Sequence, residues 1–392
     1  MAAINGITVI PIQKFVKTGY RDAEVGKTIR RDDDAIADVD ESLFMEADFG
    51  LGANYRTLKD KEMEDYLSRV NSKSKTTKDK YGMPFVHPSN ITIVDENNKK
   101  FDLDALRRAI MQRPSSLLKQ NEKMQHGSGE ETVFYNVGLP ALKGLAVNEA
   151  TGEFVVVDTC PGAGKCKIYC YARQGSYVQW KAVSLGQSRV LNFLMNEPDE
   201  FVDVLSAEIM LAQAKTKKKG INLIIRWHDA GDFFSPEYLE VAYEIARKFP
   251  KIKFYAYTKI ASVALGEKPE NFVINFSEGA LPKEQKKIDL VTIKNSRVVP
   301  KALFFDLISR KGNHPQKDSR GRWHFRDEAA WNEFKARVAK TYHIPLDSII
   351  SYDEMEELPV GPKPVWNVVV APGEADLAAT RKDVIGSLLL QH

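Results

Sequence analysis

All three cysteines of this 392-residue chain lie in one short stretch, Cys160 to Tyr171, which reads CPGAGKCKIYCY. The thiols belong to Cys160, Cys166 and Cys170, and the apolar run Phe154–Val157 precedes them. Thiolates are soft ligands that favour zinc, Cu(I) and iron–sulfur clusters. Three thiols so close in sequence, with no others in the chain, predict one metal or cluster site that has an open coordination position.

Two metal centres are compatible with this pattern. A [4Fe–4S] cluster held by three cysteines keeps one iron available for a small molecule, and we favour this interpretation. A structural zinc site needs four ligands, often as paired CxxC units, so zinc would require a histidine such as His228 and is the alternative. The segment Gly162–Lys165 is similar to a phosphate-binding loop, but Thr159 and Cys166 replace the glycine and the Ser/Thr of that motif. We therefore interpret its glycines as room for the backbone to wrap a cluster.

The composition limits the class of protein. Hydrophobic residues make up 43% of the chain, which allows a substantial core, and the net charge of +3 is too small to indicate nucleic-acid binding by itself. The odd number of cysteines argues against a disulfide framework and favours a reducing compartment. The N-terminus does not resemble a signal peptide, and no apolar run approaches the ~18 residues that span a bilayer. We expect a cytoplasmic protein.

The chain divides into three predicted regions. Residues 1–85 form a charged accessory region that ends in a flexible basic linker. Residues 86–150 form a small α+β lead-in, with a strand at 91–94, a helix at 101–111 and the first strand of a hairpin over 144–157. Residues 151–392 form the core, which begins with the second hairpin strand and the cysteines.

The core alternates between helical patterns and apolar strands. The pattern predicts helices at 201–215, from Ser235 onward, at 331–342 and at 376–390, and strands at 222–227, 253–258, 272–276 and 366–370, with a further strand within 298–309. This alternation is typical of a parallel sheet covered by helices. We predict an α/β fold with a partial or full (β/α) barrel, and an open doubly wound sheet is the alternative.

Four polar clusters follow predicted strands of the core. They are the cysteine loop after Val157, His228–Asp232, Tyr257–Lys259 and Ser277–Gly279. Ligands of such folds bind beyond the carboxyl ends of the parallel strands. If the strands are parallel neighbours, the four clusters meet at one edge of the sheet.

The cysteine loop and the clusters together resemble the radical S-adenosylmethionine (SAM) enzymes. In that family an aromatic residue precedes the last cysteine, as Tyr169 precedes Cys170 here. A glycine-rich acidic turn that holds the amino group of SAM is matched by Gly231–Asp232, and a polar residue that meets the ribose is matched by Ser277. The common CxxxCxxC spacing is replaced by CxxxxxCxxxC, and the Gly-Gly-Glu-Pro sequence of the family is absent.

The resemblance implies a role for each matched residue. The three cysteines would ligate three irons, and the fourth iron would bind SAM, with cleavage of SAM left open. Asp232 would accept from the SAM amino group, Gly231 would allow close approach, and Lys259 would pair with the SAM carboxylate. The remaining residues assigned to this site are Tyr169, Thr258 and Ser277 for cofactor binding and His228 for acid–base chemistry or ligation.

A more specific resemblance covers about Pro140 to Gly279. The ordered sequences CPGAGKCKIYCYA, RWHDAGDFFSPEYL and FYAYTK resemble a phage and plasmid family labelled gene product eighty-eight. This resemblance implies a phage or mobile-element origin and a place in the host cytoplasm. It makes a nucleic acid or a nucleotide the expected substrate class of a radical SAM-like enzyme.

A protein without catalytic activity is the alternative. In that hypothesis the metal site is structural, and the basic segments 73–80, 310–317 and 320–326 contact DNA or RNA phosphates. Trp323, His324 and Phe325 would then stack on bases. A host protein as partner is a third hypothesis.

Overall fold

The computed structural model describes residues 3–4, 7–8, 49–64, 102–120, 131–170, 172, 177, 181–319, 321–372, 374 and 376–391. The predicted strand at 91–94 and the basic linker at 73–80 lie outside these residues. The described strands, in chain order, are β1 (Ala3–Ile4), β2 (Ile7–Thr8), β3 (Tyr55–Leu58), β4 (Thr132–Val137), β5 (Lys143–Val147), β6 (Phe154–Asp158), β7 (Asn222–Trp227), β8 (Lys253–Thr258), β9 (Phe272–Ser277), β10 (Asn295–Val299), β11 (Arg310–Lys311), β12 (His314–Pro315), β13 (Ile349–Ser351), β14 (Trp366–Val370) and β15 (Val384–Leu390). The described α-helices are α1 (Leu103–Met111), α2 (Cys166–Tyr169), α3 (Lys181–Asn196), α4 (Pro198–Lys218), α5 (Pro236–Lys248), α6 (Ala261–Leu265), α7 (Pro282–Gln285), α8 (Glu328–Tyr342), α9 (Tyr352–Glu357) and α10 (Leu377–Thr380).

Eight strands form one parallel sheet in the order β13-β14-β15-β10-β9-β8-β7-β4. Within the described residues β13 and β4 are the two edges, because neither pairs with the other. A full barrel requires that pairing, so the described strands do not close into a full barrel, whereas both a partial barrel and an open doubly wound sheet have two free edges. The predicted α/β class with a large parallel sheet is confirmed.

Helices cover both faces of this sheet. On one face, Ile225 and Trp227 of β7 share a core with residues of α4 and α5. On the other face, Ile224 of β7 packs with Tyr255 of β8 and Ala379 of α10. Because successive side chains of a strand point to opposite faces, a strand buried on both sides is apolar over most of its length. None of the helices in the described part of the chain is long and apolar enough to cross a bilayer.

Capping and charged side chains mark the ends of α4 and α5. In α5, Ser235 accepts from the Tyr238 N–H at 3.1 Å, and Pro236 occupies the first turn. In α4, acidic residues occupy the first turn, and Lys215, Lys217 and Lys218 lie in the last. The helices predicted from 201 and from Ser235 are confirmed.

The small antiparallel sheet β3-β6-β5 contains the strand that leads to the cysteines. The hairpin predicted over 144–157 is confirmed as β5 and β6. The strand before Cys160 does not meet the condition that all four strands are neighbours in the parallel sheet, because β3 and β5 pair with the two edges of β6. The parallel sheet ends instead at β4, from the predicted lead-in region, which pairs with β7.

The predicted closing helix at 376–390 was also wrong. Only Leu377–Thr380 is helical, and Val384–Leu390 forms β15, between β14 and β10. The run VIGSLLL is buried over most of its length. A continuous apolar run fits both a buried helix and a central strand, so its periodicity does not distinguish the two.

Candidate functional site

The cysteine loop, residues 159–170, runs from the end of β6 through α2. The main-chain N–H groups of Gly164 and Cys166 both donate to the carbonyl oxygen of Gly279, at N···O distances of 3.0 and 3.2 Å. Gly279 comes two residues after the end of β9. These bonds hold the loop against the carboxyl end of that strand.

Two further contacts join the loop to the neighbouring strands. The Asp232 N–H, in the turn after β7, donates to the Thr159 carbonyl at 2.8 Å. A Cβ atom on Gly162 would lie 2.6 Å from the carbonyl oxygen of Lys259, which directly follows β8. The structure therefore brings the four strand-end clusters together, although β6 belongs to a different sheet.

The close approach of Gly162 leads to a prediction about stability. In Gly162→Ala the added methyl group must displace the main chain at Lys259, and overpacking of this kind costs about 1–3 kcal/mol. We expect the free energy of unfolding in urea to fall by that amount. Gly361→Ala is the matched control, because its Cβ would meet Asp383 at an ordinary 3.6 Å. Equal stability of the two variants would contradict the observed packing.

Two of the thiols, those of Cys166 and Cys170, act electrostatically on the third, that of Cys160. Burial raises the pKa of Cys160 well above its ordinary value, and the charges of Asp232, Cys170 and Cys166 raise it further. Burial also raises the pKa of Cys166, whereas the positive charge of Lys259 lowers it. The Cys160 sulfur accepts the N–H of Leu142 at 3.2 Å. The thiols, one carboxylate and one ammonium thus share a single region.

The side chains around the cysteines do not form a closed ligand set. In the parts of the chain that the structure describes, no group of three or more His, Cys, Asp or Glu side chains is arranged to hold a metal ion. Cys170 is partly buried and packs with Ala141, Ala172 and Ala230. The loop therefore gathers soft donors in one region, and metal binding there requires that the sulfurs close around the metal.

Asp232 is a buried carboxylate with three hydrogen-bond donors. Its Oδ1 accepts from the Phe233 N–H at 2.7 Å and from the Thr258 hydroxyl at 2.8 Å. Its Oδ2 accepts from the Lys259 N–H at 2.8 Å. Burial raises its pKa to about 6, although these donors favour the ionised form. Asp232 and Thr258 therefore fasten the turn after β7 to the end of β8.

Lys259 and Ser277 form a polar pair at the ends of β8 and β9. The Lys259 ammonium donates to the Ser277 hydroxyl at 2.7 Å. Nearby, burial raises the pKa of Glu278, and its carboxylate accepts the Val298 N–H at 3.2 Å. The pair supplies a cation and a hydroxyl beside the cysteine loop, which suits a ligand that has a carboxylate or a phosphate.

His228 lies inside the aromatic core. Its ring is 4.7 Å from that of Phe233 and 5.5 Å from that of Tyr238, and its Nε2 lies 2.8 Å from the Tyr238 hydroxyl. Its Nδ1 has no hydrogen-bond partner among the described residues. Burial lowers the pKa of His228 to about 3, and the charge of Arg226 adds to this effect. The imidazole is therefore neutral at physiological pH, and the geometry gives it a packing role.

The buried neutral imidazole predicts acid sensitivity. Between pH 6.5 and 3 the unfolded chain binds a proton at His228 that the folded chain does not, so stability falls as the pH falls, by about 1.4 kcal/mol per pH unit. We expect His228→Asn to lose this dependence, since asparagine tolerates the left-handed backbone at φ 70°. The measurement is the free energy of unfolding in urea of both proteins at pH 7 and at pH 5. From pH 7 to pH 5, the natural protein should lose about 2 kcal/mol more than the variant does.

Two features make that comparison specific. The raised pKa of Asp232 acts in the opposite direction between pH 3.8 and 6, but it is present in both proteins and cancels. His343→Asn is the control, because His343 is exposed and also has a positive φ, of 54°. Parallel stability curves for the natural protein and His228→Asn would contradict the neutral buried imidazole.

The other predicted residues have mixed positions. Asp229 accepts from the Ala230 N–H at 2.9 Å and from the Tyr177 hydroxyl at 3.1 Å. Gly231 has φ 90°, and a Cβ there would lie 2.8 Å from the Leu139 Cβ, so this turn requires glycine. Tyr169 ends α2, and its side chain lies outside the described part of the structure.

The sequence analysis missed the segment after β4. The Thr159 hydroxyl donates to the Pro140 carbonyl at 2.7 Å, and Leu142 supplies the N–H that reaches the Cys160 sulfur. The run Thr132–Val137 reads TVFYNV, rich in β-branched and aromatic residues, and glycine follows it. That composition is a strand signal and could have identified β4.

Comparisons with known proteins agree with the extent of this site. Residues 115–303 match the family model described as Gene product 88. The Gene 88 protein of Mycobacterium phage D29 is 27% identical over 210 residues, which cover 48% of this chain and 82% of that protein. No solved structure matches the chain. The segment that contains the cysteine loop and the carboxyl ends of β7, β8 and β9 is therefore similar to the gene product 88 family.

Proposed function

We propose that this chain is an iron–sulfur protein and a radical SAM-like enzyme that acts on a nucleic acid or a nucleotide. The observation that supports it most is the position of the three thiols. Hydrogen bonds hold their loop on the carboxyl ends of β7 and β9, where parallel sheets bind their ligands. The similarity to a protein of phage D29 supports an origin in a phage or a mobile element.

The donor set fits an iron–sulfur cluster. Cys160, Cys166 and Cys170 would hold it, because soft thiolates are the ligands that iron–sulfur clusters prefer. The charges of Cys170 and Cys166 raise the pKa of Cys160, and a bound cation would offset that repulsion and favour the thiolates. The Leu142 N–H at the Cys160 sulfur is the kind of amide donor that tunes such clusters. When bound, the cluster supplies one-electron chemistry.

The strand ends offer groups for SAM. Lys259 would pair with the SAM carboxylate. Ser277 would contact the ribose of SAM. Asp232 already accepts three hydrogen bonds, so its main role is to orient Lys259 and Thr258, with a remaining lone pair for the ligand's amino group. Because Gly231 and Gly162 have no side chain, the turn after β7 packs closely on Leu139 and the cysteine loop packs closely on the Lys259 carbonyl. His228 stays neutral within the aromatic core, so a catalytic role would require the ring to leave its contact with Tyr238.

Metal analysis of anaerobically purified protein tests the cluster. We expect iron and acid-labile sulfide in similar amounts, with the broad visible absorption of thiolate-to-iron charge transfer. A colourless protein with one equivalent of zinc would overturn the iron–sulfur proposal and favour the structural zinc site. SAM binding is tested separately by calorimetry, and its loss in Lys259→Met would support the assigned pair.

The alternative, a nucleic-acid-binding protein without catalytic activity, is supported by a basic ribbon. We define the ribbon as residues 310–317, in which β11 pairs with β12 in antiparallel orientation. Its Arg310, Lys311 and Lys317 are exposed. The nearby Phe325, which was predicted to stack on bases, instead packs on Phe334 with ring centroids 4.7 Å apart. DNA binding that weakens steeply with salt and in Lys311→Gln, but is unaffected by SAM, would favour this alternative.

A further inference from the structure

A cavity of about 550 Å³ lies between the segment that follows α1 and the N-terminal half of α3. Its lining includes Pro114, Ser115, Lys119, Gly186 and Arg189. This volume falls within the range of small-molecule sites in proteins. The lining combines apolar surface with two cationic side chains, so it suits a ligand that has both an apolar body and a negative charge.

Lys119 is the better placed of the two cations. It is half-buried, and burial lowers its pKa, while the charges of Asp229 and Glu208 raise it. Both carboxylates are engaged with other donors: Glu208 accepts from Ser116 and from the N–H groups of Leu117 and Leu118, and Asp229 accepts from Ala230 and Tyr177. Neither forms an ion pair with Lys119 within the described residues. A half-buried ammonium that lines a cavity favours an anionic partner there.

Arg189 is held rigidly at the cavity wall. Its Nε donates to the Ala109 carbonyl at 2.7 Å, and its guanidinium also donates to the Gln112 side chain. These bonds to the C-terminal end of α1 fix the orientation of the guanidinium. A fixed guanidinium loses little freedom when it binds an anion.

The cavity is connected to the strand ends. The main chain of Lys119 pairs with Asn136 near the carboxyl end of β4, at N···O distances of 2.8 and 2.7 Å. β4 is the neighbour of β7, whose following turn contains Asp229. A ligand in the cavity would therefore lie beside the same edge of the sheet as the cysteine loop.

We propose that this cavity binds the phosphate group of a nucleotide through Lys119 and Arg189, with the apolar wall against the rest of the nucleotide. This inference deepens the proposed function by assigning a site to the substrate, and for its chemistry it rests on that function. Binding itself does not require the metal centre, so the two proposals can fail separately.

Equilibrium binding of adenosine 5′-monophosphate tests the inference, on protein purified with and without its metal. We expect Lys119→Gln to weaken binding about tenfold or more, since a charge-assisted hydrogen bond contributes about 1.5–3 kcal/mol. Adenosine, which lacks the phosphate, should bind weakly to both proteins. Lys215→Gln, at an exposed position of α4, is the matched control and should bind as the natural protein does.

A second variant separates the cavity from a general effect of charge. Among the described residues, the Cβ position of Gly186 has only the Lys119 ammonium within 4 Å, at 3.6 Å, so Gly186→Leu should fill the cavity and preserve α3. We expect it to abolish binding, and we expect Gly186→Ala to have a smaller effect. A 5′-phosphorylated oligonucleotide, compared with its unphosphorylated form, shows whether the nucleotide is free or part of a strand.

The outcomes are distinct. Nucleotide binding that depends on Lys119 would support the cavity whether or not iron is bound. If the anaerobically purified protein also contains no iron, the absence of iron, and not the binding, would overturn the iron–sulfur proposal. Nucleotide affinity that is unchanged in both Lys119→Gln and Gly186→Leu, in a protein that contains iron, would overturn the cavity alone.

Discussion

Replacing Cys166 with alanine is expected to remove nearly all iron and sulfide from the anaerobically reconstituted protein, together with its visible absorption. Two remaining thiolates cannot hold a cluster that needs three. Cys166 lies at the start of α2 and is influenced by Lys259, so its thiolate has a cation nearby to favour it. The measurement is the iron and sulfide content per chain, with the absorption spectrum of the same sample.

Two further variants make the result for Cys166 specific. Cys166→Ser keeps a weaker oxygen ligand and should retain more iron than the alanine variant. Thr151→Ala lies in the exposed turn between β5 and β6 and should retain iron in full. If Cys166→Ala binds as much iron as the natural protein, Cys166 is not a ligand and the proposed centre is wrong.

Replacing Asp376 with alanine is expected to lower the free energy of unfolding by about 3–5 kcal/mol, because it removes a carboxylate that is ion-paired with a buried guanidinium. The Asp376 carboxylate accepts from Arg226 at 2.6 Å and from the Tyr255 hydroxyl at 3.0 Å, and only 1% of its side chain is exposed. Arg226 also donates to the carbonyl of His228 at 2.8 Å. The pair thus connects α10 with the strand that leads to the site.

Urea denaturation checks this prediction against two controls. Glu244→Ala breaks an exposed ion pair with Lys248 on α5 and should change stability little. The double variant Arg226→Met with Asp376→Leu removes both charges, and we expect it to recover much of the lost stability. If Asp376→Ala is as stable as Glu244→Ala, the buried pair does not support the sheet as described.

The helices and strands of the β7–β9 region could be predicted from the sequence because their signals are local. Ser235 and Pro236 mark the start of α5, and the apolar runs of β7 and β8 are bounded by polar turns. The last strand could not be predicted in this way. Val384–Leu390 is an apolar run that fits either a buried helix or a buried strand. It forms a strand because it lies between β14 and β10 and pairs with both.

The chemistry of the candidate site was likewise only partly local. The sequence by itself determined which groups are available: three thiols within eleven residues and polar turns after successive apolar strands. The tertiary structure decided how they meet, since the bonds from the cysteine loop to Gly279 join residues more than a hundred positions apart. It also decided that His228 is buried and neutral and that Asp232 is occupied by three donors. Burial and hydrogen bonding depend on the packing of distant segments, and no local pattern of residue types specifies that packing.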